Sequence, residues 1–68
     1  HGMVNSTAQK VMTRVDIQWQ NQVGHWQHFQ TMHNEANAFR TAQGRARSTG
    51  KRHRLVDANG QLLDLVEP

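Results

Sequence analysis

Lys51-Arg52-His53-Arg54 is the densest run of chemically active side chains in this 68-residue sequence. Arginine forks and the lysine point charge suit phosphate oxygens. Together with Arg14 and the ring of Trp26 they could hold one strand of nucleic acid, the cations on its backbone and a base stacked on the indole. His28 lies two residues beyond Trp26 and in a strand shares its face. The competing reading is plainer: a solvated strand start whose charges discourage edge pairing.

Other chemistries fare worse. Histidines 25, 28, 33 and 53 suggest a metal site, but in a strand His25 and His28 project to opposite faces. No cysteine supplies a thiolate, and Asp16, Glu35, Asp57, Asp64 and Glu67 show no helical ligand spacing. Neither a metal nor another cofactor is expected. "GRARSTGKR" has the glycines and lysine of a phosphate-binding loop, yet Arg45 to Thr49 put five residues between Gly44 and Gly50. That loop needs about four residues there, and Ser or Thr after the lysine, where this sequence has Arg52. Catalysis requires a nucleophile with a base, or paired acids, in a pocket. Ser6, Ser48 and Thr49 fall in a tail and at a helix end, and tyrosine is absent. The protein is therefore expected not to be an enzyme.

The length allows a single domain with a small core. Chains of this size usually need a further stabiliser, and with no cysteine or metal the remaining one is self-association. A net charge of +3 favours acidic partners weakly. No apolar stretch approaches the roughly 18 residues of a membrane span, and lack of cysteine suits a reducing, cytoplasmic setting. His1-Gly2 reads as a cloning remnant, residues 1–9 as a disordered tail, and residues 10–68 as the domain.

These side chains must be positioned by strands and one helix. Val11, Thr13, Val15, Ile17 and Trp19 alternate with polar residues, the period of a half-buried strand. His25 to Met32 is the returning strand. A three-residue loop of Gln22, Val23 and Gly24 sets Asn21 opposite His25 and Ile17 opposite Phe29. In that register Val15, Ile17, Trp19 and Phe29 face inward, Trp26 lies outward beside Gln20, His28 near Gln18, and Met32 near Arg14. Asn34 is the expected N-cap of a helix over residues 35–48, closed by Gly50, with Ala36, Phe39, Ala42 and Ala46 on its buried stripe. A second three-residue loop, Ala58, Asn59 and Gly60, sets Asp57 opposite Gln61, Leu55 opposite Leu63, Arg54 opposite Asp64 and His53 opposite Leu65.

The predicted fold is α+β: a two-layer β-β-α-β-β unit, with a four-stranded, mainly antiparallel sheet and one helix on one face. A single helix leaves the other face bare. That face is expected to carry Arg14, Gln18, Trp26, His28, Arg52, Arg54, Val56, Leu62 and Val66. The first expectation is a non-catalytic module binding single-stranded nucleic acid through Arg14, Trp26, His28, Lys51, Arg52 and Arg54. The alternative is a homodimer or protein-partner module using Trp26, Val56, Leu62 and Val66, an apolar patch that a monomer should not expose.

Overall fold

The computed structural model describes residues 13–68. The tail expected over residues 1–9, and Val11 of the first strand, lie outside that range. Strands β1 (Val15–Gln20) and β2 (Trp26–Met32) are followed by helix α1 (Glu35–Thr49) and by β3 (His53–Asp57) and β4 (Leu62–Val66). All strand pairs are antiparallel and the sheet order is β2-β1-β3-β4. The architecture is the predicted α+β unit. Strand order is what the structure adds: β1 and β3 pair at the centre, so the second strand of each hairpin becomes an edge.

Both turns work by one device. The Asn21 amide donates to the His25 carbonyl at 2.9 Å and the Gly24 amide to the Asn21 carbonyl at 3.0 Å, while Asn21 Oδ1 accepts from the amides of Val23 and His25. Asp57 repeats the pattern with Gln61, Gly60 and, through Oδ1, the amides of Asn59 and Gln61. Gly24 and Gly60 have φ of 88° and 80°, the left-handed region that a side chain disfavours. These are the two three-residue loops expected.

Helix α1 opens on Asn34, whose side chain accepts from the Asn37 amide at 2.9 Å, and closes on Gly50 at φ 70°, whose amide donates to the Ala46 carbonyl. Its buried stripe is Ala38, Ala42 and Ala46. Phe39 packs against the core from the side, and Ala36, expected within the stripe, is exposed. Spacing by four keeps one line of small residues on the sheet, which lets the helix axis approach closely. Beneath them lie Val15, Ile17, Leu55 and Val66, flanked by Phe29, Met32 and Phe39.

Each hairpin departs from its expected register at a β-bulge. In β2, Gln18 pairs with His28 and Ile17 with Gln30, so Phe29 is the extra residue. Ile17 does not face Phe29 alone, and beyond the bulge Met32 lies opposite Val15 and packs on the core instead of beside Arg14. In β4, Val56 pairs with Leu62 and Leu55 with Asp64, leaving Leu63 extra. Arg54 therefore faces Leu65, His53 faces Val66, and the expected Leu55–Leu63, Arg54–Asp64 and His53–Leu65 pairs do not form. A bulge advances the chain by one residue without reversing its face. Phe29 and Met32, and likewise Leu63 and Val66, are three apart; only a bulge brings both members of such a pair to the helix side.

Candidate interaction surface

Three rows of side chains cross the sheet face away from α1. Nearest the turn of the first hairpin, Trp26, Gln20, Arg52 and Glu67 lie side by side, joined by the Trp26–Gln20 pairing, a 2.9 Å bond from the Gln20 amide to the Arg52 carbonyl, and a 3.1 Å Arg52–Glu67 ion pair. His28, Gln18, Arg54 and Leu65 form the second row, and Thr31, Asp16, Val56 and Leu62 the third. This is the face expected to be bare, with Trp26 outward and Phe29 turned toward the helix.

Its cations are engaged. The Arg54 guanidinium sits over the Trp26 ring, 4.3 Å from the centroid, while Nε donates to Gln18 Oε1 at 2.6 Å. Arg52 is held by Glu67, and Arg14 pairs with Asp16 at 3.1 Å. The Thr31 hydroxyl donates to Asp16 Oδ1 at 2.7 Å and so accepts from His28 Nε2 at 3.1 Å. Burial pushes the Asp16 carboxyl up. The hydrogen bonds from Thr31 and Arg14, with the nearby charges of Arg14 and His28, outweigh it and hold Asp16 below the ordinary carboxylate value.

Four of the six residues expected to meet nucleic acid are thus gathered on one face, Trp26, His28, Arg52 and Arg54, while Arg14 is tied to Asp16 and also lines the recess that holds Val15 and Leu63. Lys51 is not among them. It lines recesses with Trp19 on the helix side, because it shares the alternation of His53 and Leu55. Val66, expected on the open face, is a correction of the same kind: the Leu63 bulge turns it inward, where it is 4% exposed within the core.

The apolar part of the surface is concentrated on β4. Leu62, Leu63 and Leu65 are 59%, 37% and 44% exposed, although the strand reads LLDLV. Leu62 and Leu65 lie on the open face beside Val56, which is itself buried. Leu63 and Asp64, the two residues opposite Leu55, face the helix side: Leu63 borders a recess with Val15 and Glu35, and Asp64 one with Phe39 and Arg40. Leu63 and Leu65 were not singled out from the sequence. No signal within the strand marks them, because the placement of Leu63 and Val66 on one side follows only from the bulge.

Among the described residues no group of three or more His, Cys, Asp or Glu could hold a metal ion, and no helix is long and apolar enough to cross a membrane. Compared with known proteins, the chain matches no protein-family model, no curated protein and no solved structure.

Proposed function

We propose that the protein is a non-catalytic interaction module that pairs with a second copy of itself along β4, extending two four-stranded sheets into one of eight. The observation that carries this reading is the edge strand LLDLV with three leucines exposed. Among the described residues no strand pairs with the outer side of β4; an apolar edge of this kind is a template for another strand, and a core this small gains from a partner.

The side-chain directions in β4 support one register. Antiparallel partners point to the same side of a sheet, so the open-face residues Leu62 and Leu65 must meet each other, and the helix-side residues Leu63 and Asp64 must do likewise. A two-fold axis between Leu63 and Asp64 satisfies both conditions. It aligns Leu62 with the partner's Leu65 on the open face and sets Asp64 against a leucine, not against its own copy. Shifting the axis onto Asp64 would pair Leu62 with Val66, which point to opposite sides, and would bring two carboxylates together.

Nucleic-acid binding by the open face has less support, because Arg54 occupies the Trp26 ring and Asp16 and Glu67 share the surface with the arginines. Light scattering decides between them. The expected mass is twice the 7.8 kDa of one chain, falling to that of the monomer in Leu65→Lys. The Leu62→Cys/Leu65→Cys double variant should form a covalent dimer on oxidation. A monomer at millimolar concentration, or a dimer that Leu65→Lys leaves intact, overturns the reading. So does a monomer that binds short oligonucleotides with steep salt dependence and loses that binding in Arg52→Ala.

A further inference from the structure

The side of α1 turned away from the sheet is cationic and uncommitted. Ala38, Ala42 and Ala46 face the sheet, so at about 3.6 residues per turn the opposite stripe is Asn37, Arg40, Gly44, Arg47 and Ser48, all of them exposed. It contains no apolar side chain and no carboxylate. Glu35 and Asp64 border a recess with Arg40, but the ion pairs of the described residues use Arg14 and Arg52. The Arg40 guanidinium donates to Asn37 Oδ1, a neutral group on the same stripe, and its charge stays unmatched. Arg47 suits the negative end of the helix dipole from its place in the last turn. The dipole does not account for Arg40.

Gly44 is the second observation. It stands inside a 15-residue helix, where only proline is less favourable. A Cβ built there meets nothing within 4 Å, and Gly44 is not one of the glycines at positive φ. Neither packing nor backbone conformation within the chain therefore calls for glycine, and alanine would fit and favour the helix. Seen from outside, the missing side chain leaves a notch between two arginines that lie about 10 Å apart along the axis. A surface approaching there reaches the helix backbone unobstructed.

We infer that the outer side of α1 rests in the major groove of a DNA duplex, with Arg40 and Arg47 on phosphates and the Gly44 notch at the point of closest approach. The fit is one of charge and of width. A cationic stripe free of acids suits a polyanion, and the B-form major groove, about 12 Å wide, admits an α-helix. The deep, narrow major groove of duplex RNA does not. With two arginines the contact is weak and tolerant of sequence, because phosphates position a protein without reporting the bases. It uses neither the open face nor β4, and it stands or falls apart from self-association.

The test is fluorescence anisotropy of a labelled short DNA duplex titrated with the intact chain at several salt concentrations. Binding is expected at low salt, with a slope of log K against log salt of about −2, as two neutralised phosphates require. Arg40→Gln and Arg47→Gln should each weaken binding about fivefold and bring the slope about one closer to zero. Gly44→Leu separates binding from folding: it should melt no lower than the parent, since leucine favours the helix, yet bind about fivefold more weakly. Arg52→Ala, on the far side of the sheet, should leave the affinity unchanged. No binding at low salt overturns the inference. So do an affinity indifferent to Arg40→Gln, Arg47→Gln and Gly44→Leu, a loss as large in Arg52→Ala, or binding as tight to the single strand or to duplex RNA of the same sequence.

Discussion

The hairpins β1–β2 and β3–β4 share a turn, and each carries a bulge in its second strand, yet they leave opposite edges on the sheet. In β2 the bulge at Phe29 sends Phe29 and Met32 toward the core, and what remains outward is partnered: Trp26 under Arg54, Thr31 on Asp16, His28 on Thr31. In β4 the bulge at Leu63 brings Val66 into the core and leaves Leu62 and Leu65 exposed. The same backbone device therefore yields a polar, self-satisfied edge in one hairpin and an apolar one in the other. Turn geometry is local chemistry of an Asx residue and a glycine. The character of an edge depends on which residues the bulge strands outside.

The sharpest way to break this comparison is to truncate the same side-chain type on the two strands of the second hairpin. Leu55 is fully buried beneath α1, so Leu55→Ala should cost about 3 kcal/mol, a large share of the stability of a domain this size. Leu65→Ala, measured by urea unfolding at a concentration where the chain is monomeric, should cost about 0.5 kcal/mol or less. Comparable losses at the two positions would mean that β4 packs within its own protomer, and the contrast between the edges would fail.

A middle-sized effect tests the claim that the turns are equivalent. Asp57 and Asn21 each accept two loop amides through one oxygen. Asp57→Ala should cost about 1.5 kcal/mol and Asn21→Ala about 1 kcal/mol, the carboxylate being the stronger acceptor. Thermal melts of the two variants side by side give the ratio. A silent Asn21→Ala beside a costly Asp57→Ala would show that the first turn is held by its strands and not by its cap.

Much of this was legible in the sequence because it is local. The alternation around Val15, Ile17 and Trp19, the Asn34 cap, the Gly50 stop and both three-residue loops follow from residue types at fixed offsets, and so did the outward position of Trp26. The bulges were not legible. Nothing within β2 or β4 favours an extra residue at Phe29 or Leu63; the bulges satisfy the alanine stripe of α1, to which Met32 and Val66 must be delivered from positions three residues along. That one displacement in β4 accounts for the misplacement of Val66, the lost Arg54–Asp64 pair and the Arg52–Glu67 pair found in its stead. The helix-side recess beside Trp19 was not legible for a related reason. Trp19 is far in the chain from Arg45 and Lys51, and it meets them only once β1 and β3 are neighbours.

The smallest effect lies in a single row of the sheet, where Thr31 and Asp16 from the first hairpin continue into Val56 and Leu62 from the second. Asp16 is held below its ordinary value in the folded protein, so the stability it contributes is present above the unfolded carboxylate value of about 3.9 and is lost as pH falls through the folded one. Thr31→Val removes the first of the hydrogen bonds that lower it. The Asp16 carboxyl should then titrate at higher pH, followed by NMR of its side-chain carbon, and stability at neutral pH should drop by about 0.5–1 kcal/mol. The gap between variant and parent should narrow on acidification, because protonation abolishes in both the charge that the hydroxyl favours. Leu62→Val, at the apolar end of the row, should produce no such pH dependence, since it leaves the hydrogen bonds from Thr31 and Arg14 to Asp16 in place. If the two substitutions gave parallel pH profiles, Asp16 would not be what makes the first hairpin's edge self-sufficient.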